Sequence, residues 1–202
     1  MNIYLILILI TLVVKYMLDS GVDWLNVHHL EPALPEEFKG FYDKEKYFRS
    51  QQYTREKTVF GLIQNTITTA FIMAIILTGG FNVIDQLVRK LQFGSILTGL
   101  IYILFLILVS GILDLPFRIY STFVIEEKYG FNKTTSLTFI LDLVKGFLLL
   151  LVIGGPLLAL VLWFFQETGN LAPLYVWIAV SLFQIFLTFI APVVIMPLFN
   201  KF

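Results

Sequence analysis

The chain contains no cysteine, only two histidines in 202 residues, and few charges. The first absence excludes disulfides, thiolate metal sites and cysteine nucleophiles. The second leaves little for a histidine-based metal centre. His28 and His29 are adjacent, so on a helix their rings would point about 100° apart. They cannot supply the one-turn pair of an H-E-x-x-H zinc peptidase, and that motif is absent from the chain. Placed before Glu31, Pro32 and Pro35, they are expected to be a solvated loop pair. There is also no G-x-S-x-G, no phosphate-binding loop and no dinucleotide fingerprint. Charged residues make up 14% of the chain, against about 25% in a soluble domain, which excludes both disorder and an ordinary soluble globule. Fourteen basic and fourteen acidic residues cancel, so no global field favours nucleic acid as a partner.

What is present is apolar. Hydrophobic residues make up 58% of the chain and mean hydropathy is +0.85, which points to an integral membrane protein with the lipid bilayer as its first partner. A span needs about 20 apolar residues. Five candidates follow: 3–18, 58–78, 95–113, 146–165 and 174–196. The first is short, and Lys15 within it is expected to snorkel to the interface. It lacks the basic start and small-residue cleavage site of a signal peptide. Between the second and third spans, Ile84, Leu87, Val88 and Leu91 follow one helical face, with Asp85, Arg89 and Lys90 on the other. Residues 81–93 therefore read as an amphipathic helix lying in the interface. The expected fold class is all-α integral membrane, with residues 1–202 as one membrane domain; no repeat or low-complexity tract divides them.

Lys and Arg set the expected orientation. Residues 19–57, 114–145 and the C-terminal tail carry Lys39, Lys44, Lys46, Arg49, Arg55, Lys57, Arg118, Lys128, Lys133, Lys145 and Lys201, whereas the opposite side carries only Arg89 and Lys90. The N-terminus is thus expected outside and the C-terminus in the cytoplasm. The membrane could be a bacterial inner membrane or an endoplasmic reticulum membrane. Both cytoplasmic connections read as long loops, which are often functional.

Polar residues at membrane depth are costly and therefore informative. Gln64, Asn65, Thr68 and Thr69, joined by Thr58 and Gly61, fall in one arc of the second span at 100° per residue. Interhelical hydrogen-bond glue and the wall of a wet cavity explain such a stripe equally well. Asp114 and Arg118 share a face if the helix survives Pro116. Asp142 and Lys145 are expected to form a structural ion pair, with each other or with Glu126, Glu127, Lys128 or Lys133. The fourth helix, from Thr135 to Phe165 with Asn132 or Thr134 as cap, would measure about 46 Å. It would therefore extend into the cytoplasm, with a kink expected at Pro156 after Gly154 and Gly155.

Three stretches carry a resemblance. Phe123 to Thr135 (FVIEEKYGFNKTT) with its continuation Phe139 to Lys145, then Phe48 to Lys57 (FRSQQYTREK), and Ile190 to Phe202 (IAPVVIMPLFNKF) are similar to motifs of the membrane-embedded type I CAAX prenyl protease family of zinc metallopeptidases. The likeness implies membrane helices around a water-filled chamber, with the zinc site facing it from the cytoplasmic side. It implies an activity that trims the C-termini of prenylated proteins or related membrane peptides. Zinc would polarise the scissile carbonyl and the motif Glu would activate water. The family's zinc ligands and catalytic Glu lie beyond Phe202. No catalytic or metal residue is therefore carried over, no cofactor is expected on this chain, and zinc is implied for the full-length enzyme. The carried-over residues are Glu126, Glu127, Gly130, Phe131, Asn132, Lys133 and Thr134, with Asp142 and Lys145, as a structural or substrate-mouth loop. The implied partners are a C-terminal metallopeptidase domain and a prenylated peptide. The other reading is a freestanding scaffold or lipid- or peptide-binding module without peptidase activity. A channel or transporter piece is disfavoured by the lack of repeats and of paired broken helices.

Overall fold

The computed structural model describes residues 2–199. Five continuous helical stretches are long and apolar enough to cross a membrane: Ile3–His28, Lys44–Leu77, Ser95–Tyr129, Ser136–Glu167 and Gly169–Phe199. Each holds one of the expected spans, the second stopping one residue short at the Thr78 cap, and among the described residues there is no β-strand, only an isolated bridge. Among the described residues, buried apolar side chains are confined to Val88, Ile125 and Ala172, while dozens of Leu, Ile, Val and Phe side chains are exposed. In water that surface would be untenable; in a bilayer it is the lipid contact.

The first helix, α1 (Ile3–His28), starts at the Asn2 cap and continues well past the expected end at residue 18. Hydropathy marks only the part that lies in lipid, and the helix runs on through Asp19 to Trp24 because nothing breaks it. Lys15 pairs with Asp19 one turn later at 2.5 Å. His28 and His29 are therefore the end and cap of a helix rather than a loop pair. Their Nδ1 atoms contact the carbonyls of Trp24 and Leu25, each at 2.8 Å.

Helix α2 (Lys44–Leu77) is 34 residues long, or about 51 Å at 1.5 Å per residue. It extends roughly four turns N-terminal to its apolar span, so the first long loop shrinks to residues 29–43. Asp43 starts it: its carboxylate accepts the Glu45 and Lys46 amides at 2.8 and 3.0 Å. The Lys46 amide, opposed by partial desolvation and helped by the Glu45 amide, holds the Asp43 carboxyl below its ordinary pKa.

Helix α3 (Gly80–Arg89) is the expected amphipathic segment, ending a turn early because Gln92 takes a positive φ of 55°. Helix α4 (Ser95–Tyr120) passes through Pro116 and then widens into a π turn, Ser121–Glu126, before a short α5 (Glu127–Tyr129). Proline removes one backbone donor, and the π turn re-registers the bonds just beyond it. The second expected long loop is therefore only residues 130–135. Helix α6 (Ser136–Leu149) is capped by Thr135, not by Asn132 or Thr134: the Thr135 backbone is extended and its Oγ1 accepts the Thr138 amide at 3.2 Å. A π turn, Leu150–Gly154, leads into α7 (Gly155–Glu167), with Pro156 in its first turn, so the irregularity expected at Pro156 sits immediately before it. The last stretch is α8 (Ala172–Ile190), a π turn Ala191–Ile195 and α9 (Met196–Phe199).

Two compact units divide the chain. One holds residues up to 84 with 108–133; the other holds 85–107 with residues from 134 onward. In the first, α1 packs along α2, and the Tyr16 hydroxyl meets the Thr66 hydroxyl at 2.9 Å. In the second, α7 packs on α8 with Phe164 and Tyr175 stacked at 5.6 Å. There Gly99 of α4 lies so close to Leu162 of α7 that an added Cβ would sit 2.9 Å from its Cδ1.

Candidate functional site

The segment 121–132 has a backbone that explains its residue types. After the π turn, the chain must stop being helical at Tyr129. Gly130 does this with φ 77° and ψ 19°, the left-handed C-terminal cap that glycine adopts at least cost. The Phe131 and Asn132 amides then turn back onto the Glu126 carbonyl at 2.9 and 3.2 Å, and the Gly130 amide onto Glu127 at 3.0 Å. The Asn132 side-chain amide donates to the Glu127 carboxylate at 2.9 Å, closing the loop on itself.

This loop is fastened to α2. Lys128 Nζ lies 2.6 Å from Glu56 Oε2, and the Tyr129 hydroxyl donates to the same oxygen at 2.8 Å. Lys57 Nζ lies 3.3 Å from Glu126 Oε1 and also donates to the Tyr53 hydroxyl at 2.7 Å. The Tyr53 ring meets Tyr129 and Phe131 with centroids 5.3 and 4.8 Å apart. Tyr53, Glu56 and Lys57 are i, i+3 and i+4, so one face of α2 presents all three. Ile125, in the π turn of the same segment, is fully buried. Glu126 is thus tied to α2 by an ion pair, while Glu127, Gly130, Phe131 and Asn132 shape the turn. Lys133 is exposed and Thr134 half-buried, just before the α6 cap.

Sequence reasoning passed over Tyr53, Glu56 and Lys57 as site residues, although they lie in a motif-like stretch. The readable signal was the complementary charge order of Arg55-Glu56-Lys57 and Glu126-Glu127-Lys128.

Asp142 and Lys145 pair with each other at 3.2 Å. Lys145 Nζ also donates to the Leu198 carbonyl at 2.9 Å and sits 5.6 Å from the Phe199 ring centroid. In the polar arc of α2, Gln64 Nε2 donates to Asp114 on α4 at 3.4 Å, and Thr69 Oγ1 donates to Asn65 Oδ1 at 3.5 Å. Helix α4 does continue past Pro116, and Asp114 and Arg118 remain one turn apart. The Thr68 hydroxyl is buried with no hydrogen-bond partner.

Chemically, the loop–α2 cluster is a lock. Glu56 and Glu126 are engaged by ammonium groups and Glu127 by an amide. Among the described residues, no three His, Cys, Asp or Glu side chains converge as a metal set would require.

The family described as "CAAX prenyl protease N-terminal, five membrane helices" matches residues 23–201. The CAAX prenyl protease 1 homolog of Arabidopsis thaliana is 32% identical over 199 residues, covering 95% of this chain and 47% of that protein. The Oryza sativa subsp. japonica homolog is 33% identical over 207 residues, covering 98% and 49%. The crystal structure of S. mikatae Ste24p superposes with a TM-score of 0.90 at 30% identity, covering all of this chain and 49% of that one. The chain thus spans about half the length of these relatives. Its five membrane helices and its motif loop have the same explanation: the chain belongs to the CAAX prenyl protease N-terminal family.

Proposed function

We propose that this chain is the membrane-embedded N-terminal portion of a CAAX prenyl protease-like zinc metalloendopeptidase. It forms part of a helical chamber wall and the substrate-access region, and has no peptidase activity by itself. Residues 1–202 act as one membrane domain. The zinc and its ligands belong to a C-terminal metallopeptidase domain that completes the enzyme, in cis or as a separate chain. Substrates are the C-termini of prenylated proteins or related membrane peptides. The N-terminus lies outside and the C-terminus in the cytoplasm.

The observation that carries this reading is the superposition of the whole chain on 49% of Ste24p at a TM-score of 0.90. Two features support it. In the motif loop, Glu126 and Lys128 are held by α2 and Asn132 by Glu127, as suits a chamber mouth rather than a reaction centre. The buried, unpartnered Thr68 hydroxyl in the Gln64, Asn65, Thr68 and Thr69 stripe is what a water-lined wall would supply with partners.

The test is reconstitution in liposomes with a farnesylated CAAX peptide. The 202-residue chain alone is expected to release no product and to retain no stoichiometric zinc. Addition of the catalytic half of a relative is expected to restore cleavage, and Gly130→Pro in the loop to weaken that rescue. Cleavage by the chain alone would overturn its inactivity. Failure of complementation, with a folded chain that still binds prenylated peptide, would favour a freestanding binding module.

A further inference from the structure

Beside the loop lock, the first unit carries a groove of about 600 Å³ between α2 and the α4–α5 segment, a size ordinary for a small-molecule site. It has two unlike ends. At one end lie Gln52 and Arg55; at the other lie Val59, Phe60 and Ile63, faced by Tyr120. On α2 these positions recur every three or four residues, so they form one continuous stripe. From Gln52 to Ile63 it climbs about 16 Å. The apolar run of α2 begins at Thr58, so Arg55 stands within one turn of the level where hydrocarbon gives way to headgroups.

The charges there are unequal. Lys128 also lines the groove, but Glu56 neutralises it at 2.6 Å, and Lys57 next door is matched by Glu126 at 3.3 Å. Among the described residues the Arg55 guanidinium makes no ion pair or side-chain hydrogen bond. A free, forked donor set at the polar end of a membrane-level groove calls for an anionic oxygen group. The apolar end calls for a hydrocarbon chain on the same molecule. Phe60 and Tyr120 stack at 4.8 Å and make that wall flat and rigid.

We infer that this groove binds an anionic phospholipid, with Arg55 and Gln52 on the headgroup phosphate and one acyl chain along Val59, Phe60 and Ile63. The site is independent of peptidase activity and does not rest on the function proposed above. A bilayer lipid is favoured over a peptide terminus because the groove runs along the span from interface to hydrocarbon. The single unmatched cation fits a headgroup of net negative charge, which phosphatidylcholine lacks because its own ammonium neutralises the phosphate.

The test is native mass spectrometry and microscale binding of the detergent-purified full chain with dioleoyl phosphatidylserine, dioleoyl phosphatidylcholine, glycerophosphoserine and inorganic phosphate. Phosphatidylserine is expected to bind better than phosphatidylcholine. Arg55→Ala is expected to reduce that preference about fivefold, from the worth of one basic residue at an anionic surface. Arg55→Lys should retain part of it. Phe60→Ala should weaken both lipids while leaving the headgroup preference. Arg89→Ala, at a residue paired with Asp85, should change nothing. Far-ultraviolet dichroism of each variant guards against misfolding. Equal binding of the two lipids by the unaltered chain, or an unchanged preference in Arg55→Ala, would overturn the inference. Binding of glycerophosphoserine or phosphate as tight as that of the lipid would reduce the site to a simple anion pocket. Displacement of lipid by a prenylated peptide carboxylate with higher affinity would reassign the groove to substrate.

Discussion

Gly130 is the residue on which the loop turns. Its φ of 77° lies in the left-handed region, and an added Cβ would touch nothing within 4 Å. The obstacle to substitution is therefore the backbone alone, not packing. Gly130→Ala should destabilise the folded chain by roughly 1–2 kcal/mol, the cost of placing an L side chain in that region. Gly130→Asn should lose less, because its short polar side chain tolerates the conformation. Thermal melting in detergent, combined with limited proteolysis between residues 126 and 135, measures both; equal stability of all three proteins would contradict the turn geometry. The same loop shows what a sequence can and cannot disclose at this scale. Gly130 was legible because one residue type dominates a left-handed cap. The Glu56 bonds to Lys128 and Tyr129 were not, because they join positions 72 and 73 apart in the chain. Local spacing does not say which carboxylate among Glu56, Glu126 and Glu127 a given lysine will meet.

Helix boundaries obey a different logic from spans. Hydropathy located all five crossings because the bilayer selects apolar residues. It could not locate the helix ends, because backbone hydrogen bonding continues in water wherever a cap and helix-forming residues permit. Asp43 illustrates the point: it starts α2 about fourteen residues before the apolar run, and nothing in hydropathy marks it. The π turns were invisible for a related reason. They are changes of hydrogen-bond register, and their residues, such as Leu150–Gly154, are as apolar as their neighbours. The choice of Thr135 over Thr134 as the α6 cap depends on which threonine has the extended backbone. Asp43 also yields a pH prediction. Its carboxyl is held below the ordinary carboxylate pKa by the Lys46 and Glu45 amides. The cap's contribution is thus complete above the unfolded-state value of about 3.9, and it disappears as pH falls through the lower folded value. The first turn of α2 should therefore fray on acidification below that range, read as shifts of the Glu45 and Lys46 amide resonances. Asp43→Asn, which caps without titrating, should abolish the transition; an unchanged acid transition in that variant would assign it to another group.

At the scale of the whole molecule, the strongest physical asymmetry is the distribution of basic residues across five crossings. An odd number of spans puts the two ends of the chain on opposite sides. The stretches between the apolar spans, residues 19–57 and 114–145, carry ten of the fourteen Lys and Arg, including those on the helix extensions, while the turn between α7 and α8 carries none. Basic residues near span ends are held on the cytoplasmic side during insertion. The pairing of Lys57 and Lys128 with carboxylates does not weaken this, because the rule counts Lys and Arg, and acidic residues contribute little. The bias therefore predicts that Glu37 and Lys133 face the cytoplasm and Asn170 faces outward. The natural absence of cysteine makes the experiment clean. Glu37→Cys, Lys133→Cys and Asn170→Cys, each an exposed position, can be introduced singly into an otherwise thiol-free chain. In sealed right-side-out vesicles, a membrane-impermeant maleimide should label position 170 at once and positions 37 and 133 only after permeabilisation. Labelling of 37 and 133 from outside, with 170 protected, would invert the topology. The C-terminus would then face outward, a cytoplasmic catalytic domain joined there would be impossible, and the proposed enzyme architecture would fail with it. Labelling of 37 and 133 from different sides would instead mean an odd number of crossings between them, and would remove one of α2 or the α4 stretch from the set of spans.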